Sequence, residues 1–192
     1  MIDINRKPKM GLLLVGANRF RSLGEGTADG TYEQRKEKEA EIILNSANEI
    51  ADVVFTGIVY DKEMLNNAMD AFYNEKVDFV FASYLSWAED LYDVPLLFCC
   101  IVRESCGFTD TSDESEFVDF LSSGGIVGTL EASGSFARFN RSMTSTAVGS
   151  LESLMEKAVV FGRAAKLRSI LRNSSIGLLA CYNEAMWSTY AD

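Results

Sequence analysis

The sequence predicts a three-layer α/β/α sandwich built on a parallel sheet of about five strands. Three observations carry that prediction. Short apolar runs of the kind that fill buried parallel strands recur along the chain. Amphipathic helical patterns alternate with them. The 192 residues, 47% of them hydrophobic, are enough for one domain with its own core.

The elements follow in order. Met10–Gly16 (MGLLLVG) reads as the first strand, and 18–30 as a polar, glycine-spotted loop. Thr31 opens a helix, and Gln34 three residues on completes a capping box. Ala40, Ile43, Leu44, Ala47 and Ile50 line its core face, while 33–41 is densely charged. Asp52–Tyr60 (DVVFTGIVY) reads as the second strand. Asp61 caps the next helix, whose core side carries Met64, Leu65, Ala68 and Phe72.

Val77–Leu85 reads as the third strand, 86–92 as a short helix or turn, and Val94–Val102 as a central fourth strand. Asp113 and Glu116 open a helix to about Leu121. Ile126–Phe139 suits either a close-packed helix or a hairpin. The alternating pattern favours the helix, because a strand candidate follows at Met143–Gly149. Ser150 caps a long amphipathic helix to Arg172, with Lys166, Arg168 and Arg172 near its negative end. Five strands in this arrangement make a flavodoxin-like domain.

Ser175–Tyr182 reads as one more buried strand. It suggests a division into a first domain, 1–173, and the opening strand of a second, 174–192, with the chain a piece of a longer protein. The alternative is a sixth strand of the same sheet.

Composition excludes several chemistries. There is no histidine, so Ser-His-Asp and Cys-His nucleophile pairs and histidine metal sites are out. A net charge of −10 argues against nucleic acid and against an anionic membrane. Cys99, Cys100, Cys106 and Cys181 contain no CxxC pair, which disfavours a zinc knuckle and suggests the reducing cytoplasm. The apolar run near the N-terminus is too short for a signal peptide or a membrane span.

Ligands of open α/β sheets sit beyond the carboxyl ends of the strands. That rule selects Ala17–Arg21, Ser83–Trp87 and Arg103–Cys106. Amide, guanidinium, hydroxyl and indole groups of this kind position a polyol, although each also suits a solvent-facing loop. The GEGTADG stretch at 24–30 is neither GxGxxG nor Walker A, and Glu25 and Asp29 would repel a phosphate. Glu104 and Glu131 are acid/base candidates with no visible partner, and solvation is their default. Trp87 and Trp187 fall in expected loops, where an indole is more often a contact than a core anchor. Cys106 lies near Arg103, which would lower its pKa, but no histidine base accompanies it.

The order of these pieces resembles the N-terminal part of the L-fucose/L-arabinose isomerase family. KPKMGLLLVGANRF resembles its first strand and substrate loop, and VDFVFASYLSWAEDLYDVPLLFC its third strand, aromatic loop and fourth strand. GGIVGTLEASGSFARFNRSMTSTAVG resembles the following glycine-rich helix and strand, and RAAKLRSILRNSSIGLLACYNEAM the linking helix and the start of the second domain. The match is spread thinly over the whole chain.

The resemblance implies a substrate-covering and oligomerisation domain of a three-domain aldose–ketose isomerase. Its partners would be a pentose or deoxyhexose and further copies of the protein. Family members work through an ene-diol with Mn²⁺, held by carboxylates and histidine in the later domains. The implication is therefore no catalytic residue and no metal ligand in this chain. Asn18, with Arg19, falls in the family's substrate loop, and Trp87 in its aromatic loop. The family varies between arginine and glutamine at the position of Asn18. Two other classes fit the residues: a stand-alone sugar-binding or sensory module, and a flavodoxin-like cofactor binder, which the acidic 24–30 loop disfavours.

Overall fold

The computed structural model describes residues 6–86, 96–102, 112–122, 125–138 and 145–175. The strands are β1 (Lys9–Val15), β2 (Asp52–Val54), β3 (Phe79–Tyr84), β4 (Leu96–Ile101) and β5 (Ser145–Gly149). They form one sheet in the order β2-β1-β3-β4-β5, and every pair is parallel. The helices are α1 (Tyr32–Ile50), α2 (Lys62–Asn74), α3 (Glu114–Ser122), α4 (Gly125–Arg138) and α5 (Leu151–Arg172). This is the expected α/β sandwich with a flavodoxin-like strand order.

Strand alternation divides the core in two. Met10, Leu12 and Leu14 of β1 face one side, with Phe79, Phe81, Leu97 and Cys99, and α1 and α5 cover them. Leu13 and Val15 face the other side, with Val80, Ala82, Leu96 and Phe98, under α2. The β4–β5 crossover runs in the same direction as β2–β3, so right-handedness puts α4 on α2's side, against β3 and β4. Burial pushes the Cys99 thiol up to about 12, so it stays protonated inside its layer.

Caps fix where the helices begin. Thr31 accepts from the Gln34 N–H while the Gln34 side chain accepts from the Thr31 N–H, the reciprocal box expected of this pair. Asp61 accepts from Met64, and Ser150 from Ser153. Asp113 accepts from the N–H groups of Ser115 and Glu116. The segment from Ile126 is helical rather than a hairpin.

One strand differs from expectation. The second strand is regular only at Asp52–Val54, and the chain touches β1 again at Val59 alone, beside Val15. Between them, residues 55–58 leave the ladder. Gly57 sits at φ +102°, a conformation that a side chain would resist, so an unbroken strand is ruled out there. The candidate strand Ser175–Tyr182, and with it the 174–192 unit, lies outside the described residues beyond Ser175. Trp87, Arg103, Glu104, Cys106, Cys181 and Trp187 lie outside them too, as does the side chain of Glu131. Among the described residues no helix is long and apolar enough to cross a membrane.

Candidate functional site

The strand order reverses direction at β1, so the switch point lies between the carboxyl ends of β1 and β3. Ligands of open α/β sheets bind in that crevice. Its base is closed by three residues from three elements. The Ala17 N–H, just past β1, donates to Ser86 Oγ at 3.0 Å, and Tyr32 Oη lies 3.4 Å from the same nitrogen. Tyr32 Oη and Ser86 Oγ are hydrogen-bonded to each other, and both residues are fully buried. Ser86 stands just past β3 and Tyr32 starts α1. The network therefore ties two strand ends and a helix start into one rigid floor.

The turn above that floor is a single 3₁₀ turn, Asn18–Phe20. Phe20 packs edge-to-face on Tyr32, with ring centroids 5.8 Å apart. The Tyr32 N–H donates to Leu23 O at 2.7 Å. Asn18 and Arg19 are exposed on the turn, with the Arg19 guanidinium 4.8 Å from the Phe20 ring centre. Two of the three residues expected to meet substrate are thus side by side at the switch point. The third, Trp87, follows Ser86 in sequence but lies outside the described residues.

A second polar group lies towards the β2 edge. Arg21 Nε donates to Glu33 Oε1 at 2.9 Å, and Nη2 bonds the same oxygen. The Arg21 guanidinium lies 4.8 Å from the Tyr60 ring centre. Tyr60 occupies the space that Gly16 leaves open: a Cβ on Gly16 would stand 2.4 Å from a Tyr60 ring carbon. The Tyr60 hydroxyl is buried and has no hydrogen-bond partner among the described residues, and the same holds for Ser83 on β3. Burial, followed by the nearby Tyr32 and Glu33, pushes the Tyr60 pKa up, so its hydroxyl stays protonated.

Sequence reasoning applied the strand-end rule to β1, β3 and β4 but not to β2, and so passed over Tyr60. The signal was there, an aromatic immediately before the Asp61 cap. Within the densely charged stretch 33–41, Lys36 is fully buried and donates to Glu39 at 2.8 Å. The 24–30 loop is occupied by the protein's own groups: the Gly24 N–H donates to Glu114 Oε1 at 3.1 Å, and Ser115 Oγ bonds Asp29 at 2.6 Å. Among the described residues no three carboxylates or thiols converge to hold a metal ion.

Fold and site together define a flavodoxin-like α/β domain that presents a polar turn at its switch point. No protein-family model matches the chain, and no curated protein matches it.

Proposed function

We infer that this chain is the N-terminal, substrate-covering and assembly domain of an L-fucose/L-arabinose-type aldose–ketose isomerase. One observation carries the reading: Asn18 and Arg19 are exposed on a turn whose every support, Ala17, Tyr32 and Ser86, is buried. Such a turn is ordered before any ligand arrives, which lowers the entropy lost on contact. An amide and a guanidinium side by side suit the neighbouring hydroxyls of a pentose or deoxyhexose. Trp87 would add an indole face for the sugar's C–H side. In this reading the metal chemistry belongs to other domains, where Mn²⁺ would stabilise the ene-diol. The residues of this chain orient the sugar and exclude water.

The assembly half of the reading is supported by α4, whose Ile126, Val127 and Leu130 are 51%, 41% and 66% exposed. The setting proposed is the cytoplasm, with further copies of the chain as partners.

The reading expects the full chain to bind Mn²⁺ weakly and to leave aldoses unconverted on its own. Tight, stoichiometric Mn²⁺ binding in calorimetry would contradict it. The switch-point location by itself also suits a stand-alone sugar-binding module. A millimolar or tighter sugar titration whose heat Arg19→Ala removes would favour that alternative.

A further inference from the structure

We propose that the cleft between α1 and residues 55–60 is a second ligand site, for a neutral polyol of monosaccharide size held by Arg21, Glu33 and Tyr60. This goes beyond the substrate-covering reading. The cleft lies along the β2 edge of the sheet, whereas Asn18 and Arg19 serve the crevice between β1 and β3.

The first support is space. The cleft is open on its solvent side and offers about 880 Å³, within the range of small-molecule sites. It forms because residues 55–58 swing out of the ladder and leave a gap against α1.

The second support is unused hydrogen-bonding capacity at one end of that space. Both Arg21 bonds go to Glu33 Oε1, so among the described residues Glu33 Oε2 accepts nothing and Arg21 Nη1 donates to nothing. The Tyr60 hydroxyl beside them is buried without a partner among the described residues. A buried polar group left unpaired is costly, and native proteins rarely keep one without a use.

The third support is charge and shape. Asp29, Glu37 and Glu41 line the same cleft and would repel a phosphate, while Arg21 and Lys38 would repel a simple cation. A neutral ligand with several hydroxyls suits both. Glu33 Oε2 accepts from hydroxyl protons, Arg21 Nη1 donates to a hydroxyl oxygen, and the Tyr60 hydroxyl can do either. Phe55 and Met64 supply an apolar wall for the ligand's C–H face.

The test is a calorimetric titration of the full chain with L-arabinose, L-fucose and L-arabinitol, repeated on Tyr60→Phe and Glu33→Gln. At least one probe should give saturable heat. Tyr60→Phe should weaken that binding about three- to tenfold, the loss of one neutral hydrogen bond. Its melting temperature should stay level or rise, because the hydroxyl has no partner among the described residues. Glu33→Gln should weaken binding as well.

Saturable heat from none of the three probes overturns the proposal and leaves the substrate-covering reading standing. Binding that Tyr60→Phe and Glu33→Gln spare but Arg19→Ala removes also overturns it, and moves the site to the switch point. An earlier melt of Tyr60→Phe would show that the fold already uses the hydroxyl, and overturns the proposal as well.

Discussion

The two ends of the sheet are built to different rules. At the amino end, Asp78 is buried just before β3, and its carboxylate is fully engaged. Arg6 donates to both its oxygens, at 2.6 and 2.7 Å, and the Lys9 N–H donates at 2.8 Å. Lys166 of α5 donates to the Arg6 carbonyl at 2.5 Å, and Lys9 pairs with Glu75 at 2.5 Å. At the carboxyl end, a satisfied floor of Ala17, Tyr32 and Ser86 lies beside two buried hydroxyls, Ser83 and Tyr60, that have no partner among the described residues. The amino end spends its polar groups on holding the fold. The carboxyl end leaves two of them without a partner among the described residues.

Breaking the amino end should cost most. Asp78→Ala removes the hydrogen bonds from Arg6, Lys9 and Ser169 and leaves the Lys9 N–H without its acceptor, a loss of about 2–3 kcal/mol in chemical denaturation. Burial by itself would raise the Asp78 pKa. The hydrogen bonds from Arg6, Lys9 and Ser169 and the charge of Arg6 outweigh it, so the folded value lies below the usual one. Its stabilisation is then present above the unfolded pKa and lost as pH falls through the folded one. On acidification below about pH 4 the parent chain should lose stability more steeply than Asp78→Asn. Equal slopes would mean that Asp78 is not the clamp.

At the carboxyl end the effects should be smaller and graded. Gly16→Ala drives a methyl into the Tyr60 ring and should cost about 1–2 kcal/mol, with a change in tyrosine fluorescence. Tyr32→Phe removes one member of the floor but leaves the Ala17–Ser86 bond, so about 1 kcal/mol is expected in the same denaturation assay. A Tyr32→Phe loss as large as that of Asp78→Ala would erase the contrast between the two ends.

Local signals made most of the fold legible. The Thr31/Gln34 box, the Asp61 and Ser150 caps and the apolar strand runs act within a few residues, so the sequence displays them directly. Residue pairs far apart in sequence were hidden. Lys36 looks like part of a charged face, yet it falls on the stripe of Tyr32 and Ala40 that meets the sheet. Tyr60 fits where it does because Gly16, just past β1, has no side chain. The placement of Asn18 and Arg19 at the end of β1 followed from the strand-end rule, but the buried support beneath them depends on Ser86, far along the chain.

In the proposed function, the apolar residues exposed on α4 meet neighbouring copies of the chain. Light scattering of the full chain over a wide range of concentration tests it most directly. The account predicts a mass of two or more copies, growing with concentration and reduced when Leu130 is replaced by Glu. A particle of 21.2 kDa at every concentration would contradict it.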